Sequence, residues 1–77
     1  MIDFSMLHQN ATFLRYKQIA KEAVLIPDTA VTNSQSFMSR LLEAEISPTN
    51  PDDMVLAISA FAIAWNSRMD AMGYSNN

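Results

Sequence analysis

The 77-residue sequence predicts an all-α fold, a compact three-helix domain. Three observations predict it. Breakers at Pro27, in the Pro48–Pro51 stretch and at Gly73 divide the chain into three segments. Within each segment apolar side chains recur at three- and four-residue spacing. No useful length of sequence alternates apolar with polar residues, as a half-buried strand would. The helices are expected at about 11–25, 33–46 and 51–72, the first with an alternative start near residue 4, and residues 74–77 as a frayed tail.

In the first segment Asn10 can cap the helix N-terminus. Phe13, Tyr16, Ile19, Ala20, Ala23 and Val24 form an apolar stripe opposite Arg15, Gln18, Lys21 and Glu22. Leu7, Leu14 and Leu25 make a second, weaker apolar line. Pro27 disfavours helical geometry at Ile26 and closes the segment.

The second helix is expected after Thr32, with Gln35 three residues on as in a capping box. Its apolar face would be Phe37, Met38, Leu41, Leu42 and Ala44, and Ser47-Pro48 would end it. The third start carries the strongest signal. Asn50 can cap, Pro51 suits the first helical position, and Asp52 and Asp53 sit at the positive end of the helix dipole. Gly73 supplies a left-handed stop.

The third segment contains MVLAISAFAIAW, residues 54–65, in which Ser59 alone is polar. On a helical wheel it divides into two faces. Met54, Ile58, Phe61, Trp65, Met69 and Met72 make an arc of large side chains, expected to fill the core. Ala57, Ala60, Ala64, Ser67 and Ala71 make a stripe of small ones, flanked by Leu56 and Ile63. Small side chains allow a second backbone to approach closely, which multiplies dispersion contacts. The expectation is that this stripe, with Leu56 and Ile63 at its edges, meets another subunit, although two short helices of the same chain are an alternative cover.

Composition points the same way. A chain this short buries only about 60% of its unfolded surface, yet 49% of its residues are hydrophobic. Such an excess favours a second burial partner, a copy of itself or another protein. With no cysteine, disulfides and thiolate metal sites are excluded. The net charge of −3 disfavours nucleic acid, whose phosphates dominate binding. Arg15, Lys17 and Lys21 cluster early while Glu43, Glu45, Asp52 and Asp53 come late. One copy's basic patch could therefore meet another's acidic patch. The opening MIDFSMLHQN lacks a basic residue before its first apolar positions, unlike a secretory signal. The apolar run of twelve is shorter than the roughly 20 residues that span a bilayer. A cytoplasmic protein is expected.

No catalytic, cofactor or metal site is expected. His8 is the sole histidine and has no carboxylate pair at ligand spacing. Asp52 and Asp53 are adjacent and point about 100° apart on a helix. Ser59 and Ser67 lack a base nearby in sequence, and Gly73, the sole glycine, cannot make a phosphate-binding loop. The chain is not expected to be an enzyme.

Two short stretches carry family resemblances. SQSFMSR, residues 34–40, resembles the recognition helix of phage-repressor-type helix-turn-helix proteins. That resemblance implies that Gln35, Ser36 and Ser39 or Arg40 face DNA, and it needs a preceding helix over about 23–30, around Pro27. PTNPDDMVLAISAF is similar to the start of the second helix in type III secretion needle subunits. It implies a helical hairpin with a turn bounded by Pro48 and Pro51, and assembly into filaments.

Overall fold

The computed structural model describes residues 9–73. The expected early helix start near residue 4, Leu7, His8 and the tail at 74–77 lie outside the described residues. Three helices follow in order, α1 (Ala11–Ala23), α2 (Ala30–Glu43) and α3 (Pro51–Ala71), with no strand among the described residues. The fold is an all-α three-helix domain. Helix α1 packs extensively against α3 and also against α2, whereas α2 and α3 barely meet.

Local chemistry accounts for the helix ends. Asn10 Oδ1 accepts the Phe13 N–H at 2.9 Å, so α1 starts where its cap predicts. It stops two residues short of expectation, at Ala23. Pro27 lies in the connection to α2, not in either helix.

Helix α2 starts three residues earlier than expected. Its cap is Thr29, whose Oγ1 accepts the Thr32 N–H at 3.0 Å, and Thr32 lies inside the first turn. The expected box of Thr32 and Gln35 is therefore replaced by a Thr29–Thr32 pair, joined also through their hydroxyls at 2.9 Å. Either threonine has the chemistry of a cap. The earlier start places Asn33 within reach of the connection it holds.

The helix ends at Glu43, ahead of Ser47-Pro48. Ile46 N–H donates to Leu41 O at 3.0 Å and Glu45 N–H to Leu42 O at 3.1 Å. This is a Schellman turn with Glu45 in the left-handed region at φ 60°. It turns Ile46 back onto the core.

Helix α3 begins as expected. Asn50 Oδ1 accepts the Asp53 N–H at 2.8 Å, and Asn50 Nδ2 donates to Asp53 Oδ2 at 3.2 Å. Gly73, at φ 86°, follows its end and donates its N–H to Asp70 O at 3.1 Å. The bounds of this helix agree with the sequence to within one residue.

The core takes Phe13, Tyr16, Ala20, Ala23 and Val24 from the α1 region, and Phe37 and Leu41 from α2. From α3 it takes Leu56, Ala57, Ala60 and Ala64. The α1 stripe faces inward as expected, with Ile19 half-buried. On α3 the small face, not the large one, supplies the buried residues, while Phe61 and Trp65 of the large arc pack half-buried against the core. Ala60 is wholly inaccessible, and Leu56, Ala57 and Ala64 are buried beside it. A partner contact through these four is thus corrected: their cover lies within the chain.

Of the other expected interface residues, Ile63 is half-buried, and Ser67 and Ala71 are exposed. In the large arc, Met54, Ile58 and Met72 are exposed, and Phe61, Trp65 and Met69 are half-buried. The physical reason is steric. The small stripe lets α1, itself carrying Ala20 and Ala23 inward, lie close enough for Phe13 and Tyr16 to fill the space between helices. No helix among the described residues is long and apolar enough to cross a membrane.

Candidate functional site

The weak contact between α2 and α3 leaves an apolar groove between them. The connection from α2 to α3 passes through a left-handed residue and an extended cap residue, Asn50 (φ −141°, ψ 163°), with Pro48 between. The two helices therefore splay rather than close as a hairpin. That differs from the arrangement implied by the needle-subunit resemblance.

The groove has a volume of about 590 Å³. Ser34, Phe37, Met38, Leu41 and Leu42 line it from α2, Met54, Ala57, Ile58 and Phe61 from α3, and Ser47 and Pro48 close one end. None of these side chains is charged. Phe37 and Phe61 meet across the floor with ring centroids 5.6 Å apart, tilted by 30°. Trp65 stacks on Phe61 at 6.1 Å and extends the aromatic surface along α3.

The rims are Met38 (62% exposed), Leu42 (68%), Met54 (52%) and Ile58 (66%). Each leaves much of its side chain in water, and covering that remainder would contribute on the order of 1–2 kcal/mol per residue. The two methionines add adaptability, since an unbranched thioether can repack around differently shaped neighbours. The groove offers little hydrogen-bonding capacity. The Ser34 hydroxyl already donates to Val31 O at 2.8 Å. A site of this chemistry suits an apolar helix face and does not suit a small polar ligand.

The groove is not legible in the α2 periodicity alone. Met38 and Leu42 share the apolar face of α2 with Phe37 and Leu41, and were expected inside. Residues 37 and 41 are buried; 38 and 42, one position on, stand on the rim, and Ala44 is exposed too. The usable signal was the width of the apolar arc, broader than one neighbouring helix covers.

A second, polar depression of about 220 Å³ lies at the start of α1, bordered by Thr12, Arg15, Tyr16, Ile46, Ser47 and Asp53. Burial, and then the negative charge of Asp53, push the Tyr16 phenol above its ordinary value. Of the basic cluster, Arg15 therefore shares a depression with Asp53 of its own chain. Lys17 is half-buried and Lys21 exposed.

Residues 34–40 fall in the middle of α2, not at its start. Gln35, Ser39 and Arg40 are exposed, Ser36 is half-buried, and Phe37 and Met38 belong to the groove. Residues 24–29 form a non-helical connection where the helix-turn-helix resemblance needs most of a helix. Among the described residues no group of three or more histidine, cysteine or acidic side chains could hold a metal ion. No family model, curated protein or solved structure matches this chain.

Proposed function

We propose that this protein works through protein–protein contact, as a small helical assembly subunit, adaptor or inhibitor whose contact surface is the apolar groove between α2 and α3. The proposal is for a binding role in the cytoplasm, without catalysis. The observation that carries it is the uncharged groove, with Met38, Leu42, Met54 and Ile58 exposed along its rims. Concentrated exposed apolar surface marks interaction sites, because leaving it in water is costly unless a partner covers it. The groove supplies rigid aromatic rings below and adaptable side chains above, which suits the apolar face of a helix.

A labelled synthetic helical peptide, with leucine at i, i+4, i+7 and i+11 and no charge on that face, is a direct probe. Titration of the protein into this peptide should give saturable binding, weakened at least about tenfold by Met38→Glu or Ile58→Glu, a loss of about 1.4 kcal/mol. Both positions are exposed, so circular dichroism should show an intact fold. If the folded protein binds neither such a peptide nor another copy of itself up to about 1 mM, the reading is wrong.

A further inference from the structure

The polar depression at the start of α1 is built differently from the groove, and its chemistry calls for a different ligand. We infer that it binds a small aminocarboxylate, with the carboxylate of the ligand held by Arg15 and its ammonium by Asp53 over the Tyr16 hydroxyl. Ser47 borders both the depression and the groove, but neither ligand requires the other.

Tyr16 is the buried member of the depression. The residue is only 3% exposed, and it borders the depression with the little surface it keeps. Among the described residues its hydroxyl makes no hydrogen bond. A buried phenol ordinarily finds a partner, because an unmade hydrogen bond in a dry setting is costly. Its donor and its acceptor are therefore both open to a ligand. The negative charge of Asp53 acts on this phenol, so the carboxylate and the hydroxyl serve the same small volume.

Arg15 and Asp53 bring opposite charges to that volume, yet no ion pair within 4.0 Å joins them. One stands on α1 and the other on α3, the most extensively packed pair of helices, so the core holds them at their separation. Asp53 is held further by its cap, where Oδ2 accepts the Asn50 carboxamide at 3.2 Å and the other carboxylate oxygen is left for a ligand. A simple anion in the depression would meet Asp53, and a simple cation would meet Arg15. A ligand with both charges satisfies both walls. The guanidinium fork suits a carboxylate through two N–H groups. A ligand ammonium has three N–H groups, which the Asp53 carboxylate and the Tyr16, Thr12 and Ser47 hydroxyls can accept.

Size and apolar surface agree with this ligand. The depression measures about 220 Å³, the share of about seven waters at roughly 30 Å³ each, which suits a ligand of about that many non-hydrogen atoms. Ile46, half-buried, and the Tyr16 ring give a short carbon body something to lie against.

Amide correlation spectra of the full chain, titrated with L-alanine and with 4-aminobutyrate, test the site at two charge separations. Propionate, butyrate, ethylammonium and butylammonium are the single-charge controls. At least one aminocarboxylate should give saturable shifts at Thr12, Arg15, Tyr16 and Asp53, with a dissociation constant at or below about 10 mM and at least about tenfold weaker binding of its controls. The amides of Met38 and Ile58, on the groove rims, should not move. Arg15→Gln and Asp53→Asn should each reduce the aminocarboxylate to the level of the controls. Arg15 is exposed and Asp53 half-buried, and asparagine keeps an oxygen for Asn50, so circular dichroism should show an intact fold in both. Tyr16→Phe should weaken binding at least about threefold at unchanged helix content. Lack of saturation by about 50 mM, equal binding of a single-charge control, or full affinity in any of the three variants overturns the site. None of these outcomes alters peptide binding in the groove, which is measured separately.

Discussion

The carboxamide of Asn33 in α2 donates to the main-chain carbonyl of Ala23, the last residue of α1, at 2.9 Å. The same nitrogen donates to Ile26 O at 3.3 Å, and Asn33 Oδ1 accepts the Asp28 N–H at 2.7 Å. One buried side chain thus satisfies three backbone groups of the connection that Pro27 interrupts. It fixes the angle at which α2 leaves α1, and so one wall of the groove.

Asn33→Ala should therefore destabilise the fold by about 2–3 kcal/mol, since carbonyls and an N–H lose their partner while partly buried. Urea unfolding followed by circular dichroism measures this. A loss below about 0.5 kcal/mol would show that water replaces the side chain without cost.

Glu45 bears a backbone conformation that favours glycine, at φ 60°. Glu45→Gly should stabilise the protein by about 0.5–1 kcal/mol, the left-handed penalty less the greater freedom glycine has when unfolded. An increased urea midpoint at constant slope is the expected sign. A decrease would mean that the Glu45 side chain contributes more than its backbone strain costs.

Ala60 has no accessible surface. Ala60→Leu should cost about 1–3 kcal/mol through overpacking, and Ala60→Glu should prevent folding by burying a carboxylate. Circular dichroism of Ala60→Glu distinguishes this from an interface role. A fully helical Ala60→Glu protein, altered only in its association, would restore the small stripe as a contact surface.

The caps give a paired comparison. Thr29→Ala should cost about 1 kcal/mol, whereas Gln35→Ala, one turn too late to serve the N-terminus, should change stability by less than about 0.5 kcal/mol. Equal effects in thermal or urea unfolding would contradict the observed start of α2.

Tyr16 makes stability depend on pH in the alkaline range. Its phenol is raised in the folded state, by burial first and by Asp53 second. The folded state therefore holds this proton more tightly than the unfolded one. The associated stability is full below the unfolded tyrosine value of about 10 and is lost as pH rises through the folded value. Tyr16→Phe should remove that part of the alkaline decline, seen as a smaller difference in urea midpoint between pH 8 and pH 11. An identical decline in both proteins would place the titration elsewhere.

The helix-forming segments were legible because their signals are local. Asn10 and Asn50 cap as their positions imply, and Gly73 follows α3 in the left-handed conformation. Errors occurred where two local solutions compete. Thr29 and Thr32 both have cap chemistry, and the choice between them depends on what Asn33 reaches across ten residues. Nothing in the α2 periodicity marks Asn33 as buried, because a polar side chain enters a core only when tertiary structure brings it partners.

The sequence by itself determined that this chain forms three helices, where the third begins, and that α3 carries one bulky and one small apolar face. Which face turns inward was decided only by tertiary structure. Both faces gain from leaving water, so hydrophobicity cannot rank them. Ranking depends on how closely α1 can approach, and the alanine face permits the closer packing. Burying Ala57, Ala60 and Ala64 within the chain leaves Met54 and Ile58 exposed at the rim of the groove.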